Sequence, residues 1–352
     1  MPTATALDNQ QVTSLTAKDP NFKPSYLEQW NLSLQREFGA NSVTLAYVGD
    51  AGHALSREVN AMSSSTPSGG TTVPAYLYTT AQVGKYITNI SRVYNGSSEN
   101  YNALQVIYSR RATKGLSMGA NYVWAHGLGT NTSGKSNSSS ALLPYNLRYD
   151  YGNQDLDVRQ RVTFHGTYAL PFATSAHGLE SLVAKGWKVN MIAYWQSGMP
   201  FTVIDQASSS TGNCYTNMSG CSSDRPNQIG STKVNNRSVN SWFNTDAFQA
   251  QSVGTIGNEG VNQVVGPPDR RIDLSLEKDF ALFEGTSLQF RAESFNITNT
   301  PNYAPPQNNI YAVDSNGMVD MTNSSNASFG KITGTAWGEN PRQFQFALKF
   351  LF

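Results

Sequence analysis

The last thirteen residues, 340–352, alternate strictly: Phe344, Phe346, Leu348, Phe350 and Phe352 on one parity, Gln343, Gln345, Ala347 and Lys349 on the other. A strand sends successive side chains to opposite faces, so one face is an unbroken apolar stripe and the other is largely polar. The wall of a membrane barrel needs this pattern, apolar towards lipid and polar towards the lumen.

The alternation recurs along the chain, while helical periodicity is hard to find. Trp30, Leu32 and Leu34 alternate with Asn31, Ser33 and Gln35 over roughly 26–38, and Val43, Leu45 and Tyr47 share a face over roughly 42–49. Leu104, Val106 and Tyr108 follow (roughly 101–112), then Leu116, Met118, Ala120, Tyr122 and Trp124 (roughly 116–125). Val162, Phe164 and Tyr168 (roughly 158–170) repeat the pattern, as do Trp187, Val189, Met191, Ala193 and Trp195 (roughly 187–197). Ile272, Leu274 and Leu276 (roughly 270–280), and Leu288, Phe290 and Ala292 (roughly 287–297), bring the total with the terminal strand to about nine. Most are about ten residues long, which a tilted barrel strand requires.

Short turns near 39–41, 113–115 and 281–286, with 171–185 intermediate, alternate with long polar connections at 50–99, 127–157, 199–268 and 298–340. A soluble sandwich has no reason to keep its long loops at one end, and loops of this length are unusual in a compact soluble domain. The predicted fold is all-β: an antiparallel transmembrane β-barrel portion of about nine to ten strands, with long extracellular loops and short periplasmic turns, in the outer membrane of a Gram-negative bacterium. Trp124 and Trp195 at long-loop ends and Trp187 at a short-loop end fit two aromatic girdles, although Trp also favours strands in general.

An odd strand count with the last strand running into the periplasm starts the first strand outside, so 1–24 reads as an extracellular loop remnant. Bacterial single-chain barrels have even counts, and a sheet with open edges is not tolerated in lipid. Residues 1–352 are therefore expected to be the C-terminal part of a longer barrel, its other strands supplied from elsewhere; a miscount by one would make it a small complete barrel. The start lacks the basic and apolar regions of a signal peptide, so an export signal is expected to lie outside the chain.

Composition changes this little, since half of each barrel strand is polar. No run of about 18 apolar residues suggests a transmembrane helix. The balance of 25 basic against 24 acidic residues argues against a nucleic-acid partner. Cys214 and Cys221 sit in a Ser/Thr/Asn/Gly-rich stretch and read as a small disulfide-closed loop or as two free thiols.

Several stretches resemble one family. They are Ser25–Glu37 (SYLEQWNLSLQRE), Tyr101–Gln105 (YNALQ), Asp155–Arg161 (DLDVRQR), Gly198–Thr202 (GMPFT), Arg271–Lys278 (RIDLSLEK) and Phe290–Asn299 (FRAESFNITN), then the terminal strand. In this order they are similar to the C-terminal barrel of Oar-like TonB-dependent outer-membrane receptors, the acidobacterial type with an N-terminal carboxypeptidase-regulatory-like domain. The resemblance implies a 22-stranded barrel around a plug, energised by the TonB system, taking up a large or scarce nutrient. The plug, the TonB box and the N-terminal domain are absent from these 352 residues. The partners implied are outer-membrane lipid, the plug and remaining strands, the TonB system through the N-terminal part, and the barrel-assembly machinery through the C-terminal strand. A surface adhesin or structural barrel without transport is the alternative, and a soluble carbohydrate-binding β-protein comes third.

Catalytic chemistry finds little support. Gly115-Leu116-Ser117-Met118-Gly119 matches a nucleophile elbow, but that motif needs a strand-to-helix turn and Ser117 lies inside a predicted strand. His53, His126, His165 and His177 show no metal-site spacing, so no metal or cofactor is expected. Asp150, Asp155 and Asp157 precede Arg159 and Arg161, a set that reads as a salt-bridged rim or as a cation or substrate site at the mouth. Arg271, Asp273, Arg291 and Glu293 are predicted to face the lumen on neighbouring strands, in cross-strand pairs that brace the wall, contact the plug or bind substrate. Tyr145, Tyr149 and Tyr151 read as loop packing, with stacking on a sugar or peptide as the alternative.

Overall fold

The computed structural model describes residues 15–60, 62–63, 78–79, 90–130, 147–172, 179–207, 225–251, 257–282 and 285–352. Nine long strands make up the wall: β1 Tyr26–Phe38, β2 Asn41–Asn60, β3 Ile90–Thr113, β4 Leu116–Gly129, β5 Gln160–Ala169, β6 Trp187–Gln196, β7 Asp269–Ala281, β8 Ser287–Phe295 and β9 Gln343–Leu351. Each pairs antiparallel with the next in chain order, so the wall is a meander with open edges at β1 and β9. A short strand, Leu15–Lys18, runs parallel to Ile90–Val93 at the extracellular end of β3.

The register keeps the predicted faces intact. Leu116, Tyr168, Val189, Leu276, Ala292 and Phe346 are successive opposed partners from β4 to β9. The neighbouring row is Ser117, Thr167, Asn190, Ser275, Glu293 and Gln345. From β1 to β6 an apolar row runs through Leu34, Leu45, Val106, Tyr122, Val162 and Trp195. Because the side-chain period is two, a one-residue slip at any seam would turn one set inside out.

Little protein covers the apolar face: Leu34 is 68% exposed, Phe346 68% and Leu348 69%. The buried apolar cluster lies elsewhere, in the third and fourth long connections, and comprises Val203, Ala207, Phe243, Ala247, Phe248, Val264, Ile310 and Phe329. A water-soluble sandwich would place its core against the sheet instead.

Tight turns close the periplasmic end. Lys114 and Gly115 both have positive φ (52° and 80°), as a two-residue type I′ hairpin loop requires. Gly39, first of the two loop residues between β1 and β2, has φ 61°. The intermediate connection carries a six-residue helix, Leu179–Ala184, where sequence gave only a linker. It folds beside Lys278, which falls on the apolar face. The Lys278 ammonium donates to the Lys185 carbonyl and lies 5.8 Å from the Trp187 ring centroid and 4.9 Å from that of Phe280. Near the strand end, a buried amine tolerates this face because a carbonyl and two ring faces replace water.

Strand boundaries differ at the extracellular end. Sequence predicted loops over 50–99 and 127–157, yet β2 continues to Asn60, β3 begins at Ile90 and β4 runs to Gly129. Beyond the hydrocarbon neither face must be apolar, so the ladder continues without the alternation that marked it. A register shift between Gly52 and Leu55, with Ala54 at φ 51°, marks a bulge in this extension.

Candidate functional site: the extracellular mouth

The polar face of the wall carries the predicted lumen charges, paired differently from expectation. Arg271 Nε donates to Asp273 Oδ1 at 2.8 Å along the same strand. Arg291 donates from Nη2 to Glu277 Oε1 at 2.8 Å across the β7–β8 seam, where the two residues are directly opposed. Glu293 sits 3.5 Å from Arg291 Nη2 on its own strand. Arg291 thus draws Glu277 of the facing strand, because opposed residues lie closest.

The DLDVRQR stretch lies between β4 and β5, at the end of the sheet that carries the long connections. Asp157 accepts the Gly127 N–H at 2.9 Å and Arg159 Nε at 2.9 Å. Arg159 also donates to Asn153 Oδ1 at 3.1 Å, and Asp155 accepts from Asn262 Nδ2 at 2.6 Å. Arg161 belongs to β5, opposite Val123 and Gln196 on the polar face. Asp50, Glu99, Tyr101, Asp155 and Asp157 line a cavity of about 540 Å³ between this stretch and the polar face of β2–β4. Four of the lining residues carry carboxylates, and Arg159 pairs with that of Asp157.

Above the cavity the long connections fold onto one another. Pro200–Phe201 pairs with Val264–Val265, and Ile204–Asp205 in the third connection pairs with Asn309–Ile310 in the fourth. Phe243 meets Phe248 and Phe329 edge-on, with centroids 5.8 and 5.3 Å apart. The second connection is tied in by Asn153 and Asn262, each donating its amide to the other's backbone carbonyl at 2.8 Å. Tyr149 donates its hydroxyl to the Gly257 carbonyl at 2.8 Å, and the Arg225 guanidinium stacks 3.7 Å from its ring centroid. That is loop packing; Tyr145 lies outside the described residues, as do Cys214, Cys221 and His177.

An ion cluster joins the extracellular extension of β2 to the second and third connections. Arg57 Nη2 reaches Asp150 Oδ2 at 2.5 Å, and Arg225 Nη1 lies 3.8 Å from Asp150 Oδ1. All three side chains are buried. Asp150 was among the predicted mouth acids, but Arg57 and Arg225 lay unnoticed in polar stretches. Each arginine has an acidic neighbour in sequence, Glu58 or Asp224, and nothing there names a distant carboxylate as its partner.

Glu259 is 1% exposed. Its Oε1 accepts the Val203 N–H at 3.1 Å, while Oε2 has no hydrogen-bond partner among the described residues. Burial pushes its carboxyl up from 4.5 to about 8, against the opposing pull of the Val203 N–H and Arg225. Between those values the native loops hold a proton that the unfolded chain has lost, so stability falls as pH rises across the window and levels off above about 8. Protease resistance of the loops on intact outer membranes is expected to decline over that range. Glu259→Gln keeps the acceptor for Val203 and should flatten the profile; an unchanged decline would assign it to another group.

Ser117 is the second residue of β4, opposite Thr167, with no strand-to-helix turn. His165 faces Gly119 and Ile192 on the polar side, and His126 Nε2 is 3.0 Å from Asn153 Oδ1. Among the described residues no cluster of His, Cys, Asp or Glu is arranged to hold a metal.

A family model for an outer membrane beta barrel domain matches residues 1–345. Comparison with curated proteins finds no match. Among solved structures, the outer membrane transporter YddB from Escherichia coli is similar at 11% identity and TM-score 0.48, over 97% of this chain and 34% of that one. The pyoverdine outer membrane receptor FpvA from Pseudomonas aeruginosa is similar at 12% identity and TM-score 0.42, over 94% of this chain and 30% of that one. The FrpB iron transporter from Neisseria meningitidis is similar at 8% identity and TM-score 0.42, over 83% and 30%. The chain thus spans about a third of the length of these structures.

Proposed function

The chain belongs to the outer membrane beta barrel domain family, and from that premise we propose that it is the C-terminal part of the wall of a TonB-dependent uptake receptor. The observation that carries this reading is the open-edged meander: nine antiparallel strands share one exposed apolar face, and both edge strands, β1 and β9, lack a second neighbour among the described residues. In lipid every backbone donor and acceptor on those edges needs a partner. In this reading further strands of the same receptor supply it, and a plug fills the lumen against the polar face. The apolar side chains of β9, Phe344 to Phe352, face lipid, and β9 is the strand that the barrel-assembly machinery engages. Asp155, Asp157, Arg159 and Arg161 brace the mouth, and Arg271, Asp273, Arg291 and Glu293 the lumen wall. The loops over the carboxylate-lined cavity take the ligand, a large or scarce nutrient, and the TonB system acts through a plug-bearing N-terminal part.

One observation favours an adhesin or structural barrel instead: the third and fourth connections have a hydrophobic core of their own, suited to contacts that need no lumen. The DNA upstream of the start codon separates the two. A continuous reading frame encoding a plug and a TonB box is expected. An in-frame stop codon closely followed by a promoter would sink the receptor reading and leave the second.

A further inference from the structure

Resting on the outer-membrane wall just described, we propose that the extracellular end of β7 and the approach to β9 form a binding site for a phosphate-bearing glycolipid of the outer leaflet, with Arg270 and Arg342 as the phosphate ligands. Arg270 shares the parity of Ile272, Leu274 and Leu276 and lies directly opposite Trp195, so it stands on the apolar face. It is exposed. Its backbone N–H is fixed by Asn302 Oδ1 at 3.0 Å, and among the described residues no carboxylate forms an ion pair with its guanidinium. Arg342 is held just before β9: its N–H donates to Asn299 Oδ1 at 3.0 Å, and its Cζ lies 5.7 Å from the Phe344 ring centroid, on the same face. With β8 between them, the two backbones stand roughly 12 Å apart, from strand spacings of about 4.8 Å and a two-residue offset.

Below Arg270 an apolar groove of about 390 Å³ opens between Val162, Phe164, Ala193, Trp195 and Ile272, with Thr298 and Thr300 also lining it. The composition runs from hydrocarbon-like, through an indole, to guanidinium within one strand end. An exposed guanidinium at that edge is costly beside acyl chains and favourable beside a phosphate, which its fork meets with paired hydrogen bonds; Arg342 keeps one donor, Nη1, on the Ile297 carbonyl at 3.3 Å and has the others to offer. The groove is sized for part of an acyl chain and the arginines match a headgroup phosphate, so charge and shape select the same occupant.

The test uses the full chain in its native outer membrane, extracted in mild detergent, with bound glycolipid measured by mass spectrometry. Arg270→Gln with Arg342→Gln is expected to lower the retained phosphorylated glycolipid at least about fivefold. Arg36→Gln, an exposed arginine of β1 towards the periplasmic end, should leave it unchanged. Equal retention by the double variant and the parent would overturn the site. Parent protein reconstituted with intact or phosphate-stripped glycolipid gives a second reading that needs no variant: equal retention of the two lipids would likewise overturn it. Heat-modifiable gel mobility reports the folded wall separately, so loss of the wall reading and loss of the lipid site are distinguishable.

Discussion

Phe346→Arg is expected to cost about 2–4 kcal/mol of wall stability, the penalty for a cation near the bilayer midplane on the lipid side of a barrel strand. Phe346 lies one residue from the centre of β9, is 68% exposed, and its ring stacks 6.5 Å from that of Phe290 on the neighbouring strand. Gln345, one residue away, points to the polar face beside Glu293, and Gln345→Arg should be far milder. The folded fraction in outer membranes and the denaturant midpoint of the purified protein measure both. Similar losses at 345 and 346, or none at either, would mean that hydrocarbon does not cover the face assigned to it. The comparison is sharp because both sites lie side by side on the same edge strand, against neighbouring residues of β8, and point to opposite sides.

That face was legible because hydrocarbon imposes a rule on every second residue. All nine wall strands lie where alternation placed them, and Phe344, Phe346, Leu348 and Phe350 are exposed on one parity of β9, with Phe352 just past its end. Legibility ended where the rule stops applying. Residues 50–60 and 90–100 are strand but carry Asp50, Arg57, Asn95 and Glu99, which no periodic constraint sorts into faces. The folded connections were harder still. Phe243, Phe248 and Phe329 come from segments more than eighty residues apart at the extremes, and scattered aromatics in Ser/Asn/Gly-rich sequence do not declare that they meet. The mouth was half visible. Opposite charges in DLDVRQR suggested a rim, and Asp157 does pair with Arg159; the partners of Asp150 lie more than seventy residues away on either side.

Asp150→Ala is expected to give the second large effect. The change leaves Arg57 and Arg225, each 4% exposed, as adjacent buried cations without their shared carboxylate. Removing one partner of a buried pair typically costs about 3–5 kcal/mol, because the charge left behind is uncompensated. Here the loss falls on the loop assembly rather than the wall, since Asp150 ties the extracellular extension of β2 to the second and third connections. Protease added to intact cells should therefore nick the extracellular loops of the variant, while heat-modifiable mobility of the barrel persists. Asp150→Asn should behave nearly as badly: it retains shape and hydrogen bonding but not charge. Replacing the whole cluster, Arg57→Met, Asp150→Leu and Arg225→Met, should recover most of the protease resistance, as apolar substitution of an entire buried ion cluster often does. Resistance kept by Asp150→Ala alone would show that the apolar core around Phe243 and Phe248 holds the connections together without the ion cluster.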